Sequence, residues 1–234
     1  MEGFSQAFQS SLTLILSGDP YLLGIVALSL KISLMALAIS TVIGVPLGAL
    51  LAIHRFWGRQ ALVIAVNALM GLPPVVVGLV VYLALSRSGP LGVLDLLYTP
   101  TAMVIAQSLL ITPILVALAR QTLEPINDEY SELLRSFGVS GTRRLGVLIW
   151  DGRFGLLTAL LAGFGRATAE VGAVIIVGGN INHVTRVMTT TIALETSRGN
   201  LSLAMALGAI LLIIALIVNG LLSVVSQTTR QGYA

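Results

Sequence analysis

The chain has 234 residues, of which 56% are hydrophobic and 10% are charged, and its formal net charge is +3. Soluble domains carry about 25% charged residues, so this composition excludes a soluble globular protein and indicates an integral membrane protein. The lack of cysteine excludes disulfides and thiolate metal sites, and the basic residues are interpreted as topology signals rather than as a nucleic-acid surface.

The N-terminal segment has no positively charged start and contains Glu2, so it does not predict a cleaved secretory signal. It carries an apolar stripe at helical spacing, formed by Phe4, Phe8, Leu12 and Ile15. This stripe is too short to span a bilayer and favours a helix lying at the membrane interface. Residues 21–53 follow as the first predicted span, in which Lys31 is interpreted as an interfacial anchor that snorkels to the headgroups.

Four further apolar stretches are long enough to cross the hydrocarbon layer, namely residues 61–86, 101–119, 154–178 and 201–226. The second span contains Pro73 and Pro74, which remove two backbone donors and predict a bend or break. Such a break is tolerated where the freed carbonyls are buried in protein or face a wet cavity, so a structural kink and a pathway lining both remain open. The expected fold is a single all-α integral membrane domain covering residues 1–234.

The fourth span is predicted as one helix with a ridge of small residues that allows another helix to approach closely, formed by Gly155, Ala159, Gly163 and Ala167. The same span carries Arg166 and Glu170, whose i, i+4 spacing allows one charge to neutralise the other. Two hypotheses remain: a structural pair that fixes the span against its neighbours, or a pathway in which Arg166, with Thr168 nearby, passes an anion.

Residues 120–153 form the long polar interruption of the chain and hold ten of its 23 charged residues. Within them an apolar helix face is predicted from Tyr130, Leu133, Leu134 and Phe137, with Glu132 beside it. Gly138 predicts the end of this short helix, and Ser140 is a candidate N-cap for a second one. The stretch therefore predicts a compact helix-turn-helix that a partner outside the bilayer contacts.

The distribution of arginines predicts the topology. With five spans, one side of the membrane carries eight arginines, including those of residues 120–153, and the other carries three. The positive-inside rule then places residues 120–153 and the C-terminus in the cytoplasm and the N-terminus outside. Residues 179–200, which are polar and rich in Thr, are expected to form an external loop with one short helix.

The sequence offers no catalytic constellation. His54 and His183 are predicted on opposite sides of the membrane, so no metal site or His-based triad is expected within one chain, and no cofactor either. The single lysine, Lys31, lies in the first span, which excludes a phosphate-binding loop of the G-x-x-x-x-G-K-[ST] type. If transport here is driven by ATP, a separate subunit must bind the nucleotide.

Two stretches resemble a known family. Glu132-Leu133-Leu134, three residues and then Gly138 resembles the EAA loop of ABC importer permeases, although both Ala are Leu here and Asp151 stands where the family has Pro. The segment RATAEVGAVIIVGGNI, from Arg166 to Ile181, is similar to the corresponding segment of molybdate- and tungstate-type permeases, and its continuation from Thr185 to Gly199 is similar to the tungstate branch.

This resemblance implies a type I ABC importer permease in a prokaryotic cytoplasmic membrane. It implies a homodimer of permease subunits, ATPase subunits that bind ATP and Mg at the cytoplasmic loop, and an extracytoplasmic oxyanion-binding protein. The implied ATPase-coupling residues are Tyr130, Glu132, Leu133, Leu134, Phe137 and Gly138, although packing of the apolar ones within their own domain remains open. The expected cargo is tungstate, with molybdate or another small substrate as alternatives and an ion-coupled secondary transporter as a different class.

Overall fold

The computed structural model describes residues 2–139 and 141–231, with side chains for all of these except 2–5, 135, 142 and 225–231. This part of the chain contains ten α-helices: α1 Glu2–Leu16, α2 Pro20–Ile53, α3 Arg59–Met70, α4 Pro74–Leu85, α5 Pro100–Ser136, α6 Gly141–Asp151, α7 Arg153–Thr168, α8 Gly172–Gly178, α9 Met188–Ser197 and α10 Leu201–Gln231. The expected all-α class is confirmed. Ser140, the candidate N-cap, lies outside the described residues.

Three helices are long and apolar enough to cross a membrane. They are α2, the part of α5 from Pro100 to Leu134 and the part of α10 from Leu201 to Val224. Two bent pairs meet the same criterion when each is taken as one span: α3 with α4, and the Arg143–Asp151 part of α6 with α7. The described residues therefore supply three to five spans, and the five spans expected from the sequence are the upper end of that range.

The chain divides into two compact units. The first comprises the chain up to Ala36, Pro73–Gln107 and Gly165–Val218. Its apolar core joins α2, α9 and α10 through Leu22, Ile25, Met188 and Leu207, and α1 packs against it with Leu14 and Ile15.

The second unit comprises Leu37–Leu72, Ser108–Phe164 and the chain from Asn219. Its core joins α2, α5, α6 and α7, and its buried members include Ala52, Leu123, Leu148 and Leu156. Small residues of α7 allow α5 to lie close: a Cβ on Gly155 would stand 2.5 Å from Thr122 Cγ2, so a larger side chain would force the helices apart.

The Pro-Pro step separates α3 from α4. Pro73 occupies the N-cap of α4 with an extended backbone and Pro74 the first helical position. Neither position requires a donated N–H, so both prolines fit there without the loss of a helical hydrogen bond. Pro73 O still accepts bonds from Val76 N at 2.9 Å and Val77 N at 3.3 Å.

The fourth predicted span is not one helix. α7 ends at Thr168 and α8 begins at Gly172, so residues 169–171 interrupt the apolar stretch. Two side chains, one local and one from α9, make the break possible: Glu170 Oε1 accepts a bond from Ala173 N at 3.3 Å, and Thr189 Oγ1 donates to Glu170 O at 2.8 Å. These bonds satisfy backbone groups that a continuous helix would have paired.

The first helix of the polar stretch is not a separate element either. α5 continues from Pro100 to Ser136, through Pro113 and Pro125. Leu123 and Ile126, which flank Pro125, are both buried in the core of the second unit. Their burial on one helix face keeps α5 continuous past the proline.

Candidate functional site

The exposed end of α5 carries part of the surface that the resemblance assigns to ATPase coupling. Leu133 is 55% exposed and Phe137 is 73% exposed, with Glu132 exposed next to them. Exposed apolar side chains beside a carboxylate form a surface suited to a partner protein. This surface is called the α5 tip below, defined by Glu132, Leu133 and Phe137.

Two other predicted anchors face inward. Leu134 is only 8% exposed, and Tyr130 packs against the core of the second unit. Little of the Leu134 surface is therefore accessible to a partner in the subunit alone, and its coupling role stays a prediction. Gly138 is exposed with φ at 65°, a left-handed conformation that glycine adopts without strain, and α5 ends two residues earlier.

A cavity of about 530 Å³ lies between the end of α5 and α6, lined by Tyr130, Arg143, Gly146, Val147, Trp150 and Asp151. Trp150, which the sequence analysis did not assign to the site, is among the most exposed aromatic residues here. Asp151 Oδ2 is buried and has no hydrogen-bond partner among the described residues. The cavity therefore lies beside the α5 tip and adds charged and aromatic side chains to this end of the second unit.

Buried polar contacts hold this region to the membrane helices. Arg144 donates through Nε and Nη2 to Asn127 Oδ1 at 3.1 and 2.6 Å. Asn127 is itself buried and donates from Nδ2 to Ala52 O at 3.4 Å. One side chain thereby connects α2, α5 and α6 and ties α6 to these two helices.

Glu124 is a second connection. Its carboxylate pairs with Arg59 and Arg120 through bonds to separate oxygens. Arg59 also donates from Nε to Leu51 O at 2.8 Å and is buried. Charged hydrogen bonds with several partners are more resistant to solvent than single surface ion pairs, so this network fixes the start of α3 against α5.

A tight turn joins α6 to α7. The two helices meet at 72°, with Gly152 between them. A Cβ at Gly152 would lie 2.7 Å from Leu123 Cδ2 and 3.0 Å from Leu148 O. The close packing requires glycine. It makes the turn a firm connection between α7 and the α5–α6 end, a name used here for the α5 tip together with α6.

The charged pair of α7 occupies the break between α7 and α8. Arg166 Nη2 lies 3.6 Å from Glu170 Oε2, and their side chains are 41% and 4% exposed respectively. Thr168 Oγ1 donates to Gly165 O at 3.1 Å, so its hydroxyl is committed to its own helix. The arginine is the accessible member of the pair, while the carboxylate both neutralises it and caps α8.

A small cavity of about 10 Å³ lies at this break, and polar side chains from several helices line it. They are Ser29, Ser33, Gln107, Thr168, Glu170 and Thr189. Gln107 donates from Nε2 to Ala167 O at 3.1 Å, whereas its buried Oε1 has no partner among the described residues. Gln107 and Thr189 were not assigned to the site from sequence. Gln107 could have been found from the sequence, because it is a polar residue within an apolar span.

The two helix breaks lie against each other. A Cβ on Gly172 would lie 2.9 Å from Val75 Cγ2, directly after the Pro73-Pro74 step, and one on Gly78 would lie 2.8 Å from Ala173 Cα. The first turns of α4 and α8 are therefore in close contact. Interrupted helices with charged and polar groups at the interruption are typical of transport pathways.

These features define a class: a multi-pass membrane transport subunit with interrupted spans and a charged, structured region at the end of α5. The chain belongs to the family of binding-protein-dependent transport system inner membrane components, whose profile matches residues 44–231. It is thus a multi-pass inner-membrane permease subunit of an ABC importer. Membership in this family implies an ATPase subunit and a binding protein as partners.

Curated relatives cover almost the whole chain. It is 41% identical over 206 residues to a probable anion ABC transporter permease protein of Haloferax volcanii, covering 86% of this chain and 89% of the relative. It is 38% identical over 222 residues to the tungstate uptake system permease protein TupB of Peptoclostridium acidaminophilum, covering 95% and 97%. It is 30% identical over 229 residues to the sulfate transport system permease protein CysW of Escherichia coli, covering 92% and 77%.

Proposed function

We propose that this chain is the permease subunit of an ABC importer that moves an oxyanion, specifically tungstate, into the cytoplasm. The observation that carries the cargo assignment is the 38% identity to the tungstate permease, which extends over 97% of that relative. The chain itself is non-catalytic, and a separate subunit binds ATP and Mg and hydrolyses the nucleotide. A second copy of the permease completes the pathway.

The α5 tip docks into the ATPase subunit, with Leu133 and Phe137 as apolar anchors and Glu132 as the polar contact. Their exposure supports this role, because side chains that are free in the subunit are available to a partner. The charge count supports a cytoplasmic position for this end and an external position for the N-terminus. Residues 182–198 contact the loaded binding protein on the other side.

ATP-driven closure of the ATPase pair shifts the α5–α6 end. The Gly152 turn passes this shift to α7, which leads to Arg166 and the break at residues 169–171. Pro73 and Pro74 lie at the facing break, so the pathway opens or closes where two interrupted helices meet. This is a two-state element whose equilibrium the nucleotide biases.

The test is ATP hydrolysis by the reconstituted complex, with the binding protein loaded in turn with tungstate, molybdate or sulfate. We expect stimulation by tungstate to exceed that by the other two. Equal stimulation by all three would overturn the tungstate assignment, and a greater effect of molybdate would favour the molybdate alternative. Import that persists without any ATPase subunit would instead indicate a secondary transporter.

A further inference from the structure

Arg186, between α8 and α9, is held in place by uncharged groups. Its Nη1 donates to Tyr21 Oη at 2.7 Å and to Asn182 Oδ1 at 3.2 Å, and its Nη2 donates to Asn180 O at 3.4 Å. Tyr21 Oη in turn donates to Asn182 Oδ1 at 3.0 Å. These bonds orient the guanidinium without neutralising it.

No carboxylate among the described side chains lies within 4.0 Å of Arg186 to form an ion pair. Arg198 provides the contrast, since its Nη1 lies 3.3 Å from Glu195 Oε1. Arg186 Nε is buried and has no hydrogen-bond acceptor among the described residues. All the described acceptors of this guanidinium are uncharged, so its positive charge stays available to an oxyanion, which binds arginine through charge-assisted hydrogen bonds.

A cavity of about 380 Å³ is lined by Arg186, His183 and residues of the first turns of α2. His183 has φ at 58°, an uncommon conformation for a non-glycine residue, and its ring lies 5.6 Å edge-on from the ring of Tyr21. Ile25 and Leu28 make the α2 wall apolar. A fixed cation against a wall of low dielectric strengthens the attraction of an anion.

We propose that the cavity bounded by Arg186 and His183 is an entry subsite for a tetrahedral oxyanion. The anion accepts a charge-assisted hydrogen bond from the Arg186 guanidinium and contacts the imidazole of His183. A single arginine with one neighbouring histidine binds a divalent anion weakly, which suits an ion in passage. The inference rests on the proposed function, because the ion it names is the transported one.

His183 itself reports occupancy, since diethyl pyrocarbonate modifies accessible imidazoles and the chain has only two, His54 and His183. The permease–ATPase complex, without binding protein or nucleotide, is treated with the reagent in sodium tungstate and in sodium chloride of equal ionic strength. Peptide mass spectrometry then gives the rate at each histidine. We expect tungstate to slow modification of His183 severalfold and to leave His54 unaffected.

Two variants give this assay its controls. Arg186→Gln should abolish the protection of His183, whereas Arg198→Gln, whose charge is already paired, should retain it. No protection in the unmodified complex, or protection that survives Arg186→Gln, overturns the subsite. Because no binding protein or ATP is present, this result is independent of the stimulated ATPase assay that tests the tungstate importer.

Import kinetics separate an ion site from a protein-docking site. Arg186→Gln should lower the maximal import rate by about tenfold, the loss typical of one charged hydrogen-bonding partner, with the apparent KM for loaded binding protein unchanged. A raised KM at an unchanged maximal rate would mean that Arg186 contacts an acidic side chain of the binding protein, and would overturn the proposal. His183 is exposed, so His183→Gln should lower import without changing the melting temperature. Unaltered import would remove His183 from the subsite.

Discussion

The two oxygens of the Glu170 carboxylate have different partners, the backbone N–H of Ala173 and the guanidinium of Arg166. Replacement of Arg166 by Gln would leave a buried carboxylate without its counter-charge. We expect Arg166→Gln to lower the free energy of unfolding by about 1–3 kcal/mol. The measurement is the melting temperature of the purified complex in detergent.

The double variant Arg166→Gln/Glu170→Gln is the control for this prediction. A Gln at position 170 retains an oxygen for the Ala173 N–H and carries no charge, so the double variant should recover much of the lost melting temperature. An Arg166→Gln complex with unchanged melting temperature and no import would contradict the stabilising role and assign Arg166 to the pathway.

The sequence predicts the pairing of Arg166 with Glu170, but it does not predict the helix break beside them. The i, i+4 spacing was sufficient to predict the ion pair, since both groups are near each other along the chain. The break at residues 169–171 depends on Thr189, which lies 19 residues further on and donates to Glu170 O. A hydroxyl contributed from another helix leaves no local pattern in the sequence.

The end of α5 presents two leucines in succession with opposite environments, Leu133 exposed and Leu134 buried. We expect Phe137→Ala and Leu133→Ala to reduce co-purification of the ATPase subunit while the melting temperature of the permease alone stays the same. Leu134→Ala should act in the opposite way, lowering the free energy of unfolding by about 2–4 kcal/mol through the cavity it creates. Pull-down of the ATPase and thermal melting of each variant give the two readouts.

If Phe137→Ala lowered the melting temperature as much as Leu134→Ala, Phe137 would belong to the core of the subunit. If neither exposed residue affected the association, the docking surface would lie elsewhere, with the cavity beside Trp150 as the next region to examine. The helical periodicity placed all four apolar residues on one face, but it could not say which part of that face the rest of the subunit covers. That division is a property of tertiary packing.

At the scale of the whole chain, composition was enough to predict an all-α membrane protein, because apolar stretches of this length have few alternatives. The limits of individual helices were harder to predict. α5 extends through Pro125 because buried neighbours hold it, and α3 and α4 are separate because Pro73 and Pro74 fit at a helix start. Proline therefore lies inside a continuous helix at one place in this chain and at a helix start at another, and only the packing around each proline distinguishes the two cases.

Topology is the remaining whole-molecule property, and the lack of native cysteine makes it measurable. Ser136 and Ser197 form a matched pair, since both are exposed near the end of a helix and each Oγ donates to the carbonyl three residues earlier, Leu133 O and Leu194 O. With Ser197→Cys we expect a membrane-impermeant maleimide to label intact spheroplasts, because eight arginines place the opposite side in the cytoplasm.

With Ser136→Cys we expect labelling only after lysis in denaturing detergent, which also removes any ATPase subunit that covers the site. The reverse pattern would invert the orientation, placing the α5 tip outside, where no ATP is hydrolysed, and would contradict the coupling role together with the topology. Labelling of both positions in intact spheroplasts would require an even number of crossings between them. Residues 137–196 would then not contain the single crossing that the sequence predicts at residues 154–178, so this pair of serines tests the span count and the orientation in one experiment.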